Sequence, residues 1–276
     1  MTVTDRERAA MARARELGAA VLGTTSPNPA VGAVILAADG TVAGEGATQP
    51  PGGAHAEVRA LAAAGERARG GTSVVTLEPC AHTGRTGPCA DALIAAGVAR
   101  VVVAVPEPTS LAGGGVERLR AAGIDVEVGV EQAEAELGAL GPWLTGVREH
   151  RPQVVWKVAT TLDGRVAAAD GSSRWITGEA ARAAVHRLRA TCDAVVVGSG
   201  TAVTDDPQLT VRAADGRDAD RQPLRVVVDR RGRLPEGARV LDDAAPTLVS
   251  RAADPAAVLA ELFDRGVRRV LLEGGP

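Results

Sequence analysis

Apolar runs of strand length alternate along this chain with segments of helical spacing, and no other feature limits its possible folds as much. In the first half the expected strands are 30–37, 72–77, 100–105 and 125–130, and the expected helices 5–23, 55–69, 89–96, 116–122 and 131–144. The stretch after residue 37 is rich in Gly and Pro and reads as a loop. Such alternation implies an α/β/α layered sheet. The polar segment 146–152 ends in Pro and places a domain boundary there, giving domains over 1–146 and 151–276. The second half again reads as α/β, with strands 154–159, 194–198, 224–229 and 268–272 and helices 179–190 and 255–265. The sequence stops at Glu273-Gly274-Gly275-Pro276, directly after a strand and inside a glycine turn, which reads as a truncated domain.

Composition removes several function classes. The chain has 276 residues and a net charge of −3, so it lacks the basic field that neutralises nucleic-acid phosphates. Its aromatics are only Trp143, Trp156, Trp175 and Phe263, too few for a base-stacking surface. No run approaches a membrane span and residues 1–16 contain no apolar signal core, so the expected location is cytoplasmic. Three cysteines, Cys80, Cys89 and Cys192, are too few for a disulfide framework and read as metal ligands or buried apolar residues.

The chemistry concentrates in His55-Ala56-Glu57, Pro79-Cys80 and Pro88-Cys89. One imidazole and two thiolates suit Zn2+ and leave a fourth tetrahedral position open for water, which the metal acidifies. His55 and Cys89 are expected at helix N-termini, where thiolate is favoured over thiol. Glu57, two residues from His55, is placed to move the proton, the role of the carboxylate in zinc deaminases. The pattern thus points to hydrolytic deamination. A structural zinc site or unrelated buried cysteines would be the bland reading, but a structural site normally supplies four protein ligands. His82, two residues after Cys80, is either a fourth ligand or a substrate contact.

Nucleoside and nucleic-acid deaminases usually carry P-C-x-x-C, whereas here eight residues, 81–88, separate the cysteines. The run Pro79-Cys80-Ala81-His82-Thr83-Gly84-Arg85-Thr86-Gly87-Pro88-Cys89 resembles PCxHxGxTPPC, the pattern of the first domain of the bifunctional riboflavin-biosynthesis deaminase/reductase family. Upstream, Ser26-Pro27-Asn28-Pro29-Ala30-Val31-Gly32 is similar to that family's T-x-P-N-P-x-V-G segment, which implies that Asn28 contacts substrate. Two departures stand out. Gly87-Pro88 replaces Pro-Pro, and Glu107-Pro108-Thr109 replaces the family's D-P-N, so no site residue is taken from that loop.

From Arg151 onward the chain resembles the family's reductase domain, which has a dihydrofolate-reductase-like fold and uses NADPH. The resemblance runs through Arg151-Pro152, Lys157 to Gly164, Ser173 to Gly178, His186 to Arg189, Gly198 to Thr201, Asp205 to Arg212, Gln222-Pro223 and Glu273 to Pro276. Carried over position by position, it implies cofactor contacts at Ala159, Trp175, Thr201, Asp205, Gly274, Gly275 and Pro276. It implies ribosyl-phosphate contacts at Ser173, Arg189, Leu209, Arg212 and Glu273. Lys157, the only Lys, is either a specific point charge near the substrate or a chance survivor in an Arg-rich composition. Glycines after strands let backbone N–H groups approach phosphates, and Arg offers bidentate contacts.

The resemblance implies hydrolytic deamination of 2,5-diamino-6-ribosylamino-4(3H)-pyrimidinone 5′-phosphate, then NADPH-dependent reduction of its ribosyl group to ribityl. It also implies a homo-oligomer for the full-length chain, formed partly through the reductase domain. Three rivals remain: a deaminase of another class, acting on a nucleoside, free base or tRNA; a non-catalytic zinc scaffold; and a protein in which only the deaminase works.

Overall fold

In the computed structural model, which describes residues 2–82, 87–167, 169, 176–213 and 215–274, the chain divides into Met1–Glu149 and His150–Pro276. The first unit opens with α1 (Asp5–Ala20), whose start is a capping box. Thr4 Oγ1 accepts from the Glu7 N–H at 3.2 Å while the Thr4 N–H donates to Glu7 Oε2 at 2.7 Å. Then come β1 (Gly32–Leu36), β2 (Val42–Ala47), α2 (Ala56–Ala64), β3 (Thr72–Leu77), α3 (Cys89–Ala96), β4 (Arg100–Val105), α4 (Gly115–Ala121), β5 (Asp125–Val128), α5 (Gln132–Leu137) and α6 (Gly141–Glu149). The sheet order is β2-β1-β3-β4-β5, with β1 antiparallel to β2 and β3 and the rest parallel. Every residue of β1 and β4 is buried, as strands covered on both faces require.

Close approach of α2 to the sheet depends on β2 having glycine where the helix crosses it. A Cβ at Gly46 would lie 2.3 Å from the Ala56 carbonyl oxygen, and one at Gly44 2.3 Å from that of Ala60. These glycines explain why the sequence reads as a loop where the structure has a strand: β2 gives up β-forming side chains to seat the helix that carries the site. The expected helix 131–144 is instead α5 and α6, separated at Gly138. Residues 146–149, expected to lie in a linker, belong to α6. The helix over 55–69 ends at Ala64 and continues as one 3-10 turn, Gly65–Ala68.

The second unit contains β6 (Gln153–Lys157), α7 (Glu179–Ala190), β7 (Ala194–Gly198), α8 (Ser199–Asp205), β8 (Leu224–Val228), β9 (Thr247–Ser250), α9 (Pro255–Asp264) and β10 (Arg269–Glu273). Its sheet is all parallel, ordered β6-β10-β7-β8-β9. Alternate residues feed opposite faces. Val195, Val197, Val227 and Leu271 pack with Cys192, Leu209 and Val240 on one side, and Ala194, Val196, Val226 and Val270 pack with Val258 and Leu262 on the other. Cys192 is thus a core residue. Sequence patterning missed α8 and β9; the latter is a four-residue edge strand, too short to show a period.

Candidate functional site

Two elements and one loop bring the candidate metal-binding side chains together. His55 occupies the N-cap position of α2 without a capping hydrogen bond from its side chain, Cys89 is the first residue of α3, and Cys80 lies three residues beyond β3. Their donor atoms all lie within 4.8 Å of one another, the one such group among the described residues. His55 Nδ1 is 3.2 Å from Cys89 Sγ and 3.7 Å from Cys80 Sγ. Zinc bonds of about 2.0–2.3 Å at tetrahedral angles separate donors by roughly 3.5 Å, so the spacing fits a single zinc ion. Hydrogen bonding from Cys89, then from His55, draws the Cys80 thiol down to about 4, far below the ordinary thiol range. Hydrogen bonding to Cys80, then burial, push the Cys89 thiol up instead, so the pair by itself favours a single thiolate, on Cys80. His82 is not a member of the group, although its Nδ1 is buried without a hydrogen-bond partner among the described residues.

Glu57 stands in the first turn of α2, only 4% exposed. Burial pushes its carboxyl up to about 7, against the opposing pull of its own backbone N–H and of His55. The loop bearing Cys80 is held by Glu78, which sequence patterning did not single out. Glu78 Oε2 accepts from the Glu107 N–H and Oε1 from the Val116 N–H, both at 3.0 Å. A Cβ at Gly115 would lie 1.8 Å from the Pro79 carbonyl oxygen, so α4 starts directly against the strand end. The only signal for Glu78 was a carboxylate just ahead of Pro-Cys. Glu107 is occupied locally, accepting from the Thr109 N–H at 3.0 Å. Asn28 is exposed in a turn, its N–H donating to the Thr25 carbonyl at 2.9 Å.

In the second unit the expected contacts gather at the C-terminal edge of the sheet. Arg189 on α7 forms a two-point ion pair with Glu273 at the end of β10, Nη2 to Oε2 at 3.0 Å, and also donates to the Thr210 carbonyl at 2.8 Å. Lys157 Nζ lies 3.8 Å from Glu273 Oε2. Leu209 is buried and Arg212 exposed. Thr201 in α8 neighbours Gly274, where an added Cβ would meet Thr201 Oγ1 at 3.8 Å. Trp156 Nε1 donates to the Gly274 carbonyl at 3.4 Å, a contact that sequence reading missed. Ala159 follows β6 half-buried, and Asp205 ends α8 exposed. Ser173, Trp175, Gly275 and Pro276 lie outside the described residues.

Fold and site define a zinc-dependent deaminase unit joined to a second, parallel α/β unit. Residues 4–105 match the cytidine and deoxycytidylate deaminase zinc-binding region, and residues 152–276 match the RibD C-terminal domain. A riboflavin biosynthesis protein RibD of Mycobacterium tuberculosis is 54% identical over 267 residues, covering 97% of this chain and 78% of the relative. That of Corynebacterium ammoniagenes is 50% identical over 270 residues, covering 96% and 78%. The crystal structure of a diaminohydroxyphosphoribosylaminopyrimidine deaminase/5-amino-6-(5-phosphoribosylamino)uracil reductase from Thermotoga maritima matches at a TM-score of 0.90 and 38% identity, covering 98% of this chain and 81% of that one. The chain belongs to the RibD family of riboflavin biosynthesis, enzymes with deaminase and reductase activities on a small-molecule substrate. Zinc and NADPH are its cofactors. Among the described residues no helix is long and apolar enough to cross a membrane.

Proposed function

We propose that His55, Cys80 and Cys89 hold the zinc and that Glu57 carries the proton in hydrolytic deamination of 2,5-diamino-6-ribosylamino-4(3H)-pyrimidinone 5′-phosphate. The observation that carries this is the three-donor group beside a buried carboxylate. Zinc, when bound, supplies a Lewis acid that makes water nucleophilic near neutral pH. Glu57 takes a proton from the attacking water and returns one to the departing amine, so that water enters and ammonia leaves. The buried His82 Nδ1, without a hydrogen-bond partner among the described residues, supports a substrate contact there, and Asn28 a second at the exposed turn.

In the second unit, Arg189, Leu209, Arg212 and Glu273 bind the ribosyl phosphate, and Ala159, Thr201, Asp205 and Gly274 bind the cofactor. Gly198 and Gly200 support this, since a Cβ on either would meet nothing within 4 Å and leaves the backbone open at the end of β7. NADPH, when bound, would supply the hydride for reduction of the ribosyl group. Arg189, held by Glu273, presents a fixed guanidinium, and the exposed Arg212 meets the phosphate. The deaminase and reductase domains, expected over 1–146 and 151–276, correspond to the units Met1–Glu149 and His150–Pro276, and the full-length chain is a cytoplasmic homo-oligomer with no nucleic-acid or membrane partner. The net charge of −3 and the near absence of aromatics support the partner reading, and the family resemblance supports the oligomer.

The test is ammonia release from the diaminopyrimidine ribosyl phosphate by the zinc-loaded protein and its Glu57→Ala variant. Release that vanishes in the variant supports the assignment. Equal release from both removes Glu57 from the mechanism.

A further inference from the structure

Residues 210–212 are held backbone group by backbone group. Arg189 Nη1 donates to the Thr210 carbonyl at 2.8 Å. The Val211 N–H donates to Gln222 Oε1 at 2.7 Å, and Gln222 Nε2 returns a bond to the Val211 carbonyl at 2.9 Å and another to the Ala219 carbonyl at 2.8 Å. The Arg212 N–H donates to His186 Nδ1 at 3.1 Å. His186 and Arg189 are three residues apart on α7 and so share a helix face. They hold two residues of the segment from one side, while Gln222 holds the residue between from the other.

The segment also starts from a backbone that needs holding. Leu209 has φ +59 although it is not glycine and is only 3% exposed. Side chains seldom adopt this region, and it persists only where the surroundings impose it. At the far end, the exposed side chain of Arg212 has neither a hydrogen bond nor an ion pair among the described residues. No side chain of α7 is fully buried, so the His186 contact is polar bracing at the surface rather than core packing.

We infer that His186 and Gln222 are positioning residues of the reductase. By fixing the backbone of 210–212 they aim the Arg212 guanidinium at the substrate phosphate, without touching substrate or cofactor themselves. This rests on the reading of Arg212 as a phosphate contact. A backbone N–H can only donate, so His186 must offer Nδ1 as an acceptor, which the neutral ring protonated at Nε2 does. A group preorganised in this way lowers the ordering cost of binding and acts on substrate affinity rather than on hydride transfer.

The test is steady-state reduction of 5-amino-6-(5-phosphoribosylamino)uracil by the zinc-loaded full chain, with the melting temperature measured in parallel. His186→Phe removes the acceptor and is expected to raise KM for the phosphoribosyl substrate roughly five- to tenfold, the effect of one lost hydrogen bond. Its kcat and its KM for NADPH stay within about twofold of the parent. His186→Asn, whose Oδ1 takes the place of Nδ1, restores KM. Gln222→Met loses three bonds and raises KM further. Arg212→Ala is the reference. If it raises KM while His186→Phe and Gln222→Met do not, the positioning role is overturned and the phosphate reading stands. If Arg212→Ala also leaves KM unchanged, the phosphate reading fails and the inference with it. A fall in kcat and in melting temperature that His186→Asn does not reverse makes the contact a general brace and overturns the inference too.

Discussion

The two units build their sites from opposite materials. In the first, soft donors and one carboxylate gather where a helix start, a second helix start and a strand end meet, and Cys89 and Glu57 are buried. In the second, charged side chains gather at a sheet edge, with Arg189 at 13% exposure and Glu273 at 10%. The strands follow suit. β1 lies inside its sheet and is buried throughout, whereas β6 is an edge strand whose Val154 and Trp156 are exposed. A metal site needs donors within a few ångströms of one point and tolerates little error, so it is rooted in a covered core. A phosphate is held by longer-range charge and can be met by side chains nearer the surface.

Removing a metal ligand should separate the two units most sharply. Cys80→Ser or Cys89→Ser is expected to abolish zinc retention and ammonia release while leaving reduction of supplied phosphoribosylaminouracil intact. Metal analysis and both turnover assays check this, and full zinc content in either variant would refute the ligand assignment. Glu57→Gln is expected to keep its zinc and lose roughly 10²–10⁴ in deamination rate, the usual weight of general acid/base catalysis.

Two buried arginines test the frameworks beneath the sites. Arg225 has a fully buried side chain, donating to Asp242 Oδ1 at 2.6 Å and to the Gln208 carbonyl at 3.3 Å. Arg100, 7% exposed, pairs with Glu7 at 2.7 Å and with Asp125. Replacing either with Met strands its partners, at about 3 kcal/mol. Hydrogen exchange resolved by peptide should show Arg225→Met opening the second unit and Arg100→Met the first. Loosening of both units by either variant would mean that they do not unfold independently.

The smallest expected effect concerns acid. Burial opposes the Glu7 charge, but hydrogen bonds from the Thr4 N–H and Arg100 outweigh it and hold the carboxyl below its ordinary value of 4.5. A carboxylate depressed by folding stabilises above its unfolded pKa, and that contribution disappears as pH falls through the folded one. The first unit should therefore lose stability below pH 4.5, and Glu7→Gln should flatten that dependence. An unchanged acid slope in the variant would assign the loss to other groups.

How much was legible follows from how local each signal is. Strands 72–77 and 100–105 and helices 89–96 and 179–190 were expected within the bounds the structure gives them, because their apolar periods are uninterrupted. β2 was not, since its glycines answer to a helix that folds onto it later in the chain. Glu78 escaped because its partners, Glu107 and Val116, are 29 and 38 residues away. His186 and Gln222 lay inside recognisable segments, yet nothing in the sequence said which backbone groups they hold.

The sequence by itself determined the family and the two-part α/β order and marked the candidate zinc donors and the carboxylate beside them, because each is written in residue identity at short spacing. Only the tertiary structure decided that Glu57 is dry, that His55 Nδ1 faces both thiols, and that Arg189 meets Glu273 across 84 residues of chain. Distance, burial and the choice of partner arise when separate elements pack, and no local pattern encodes them.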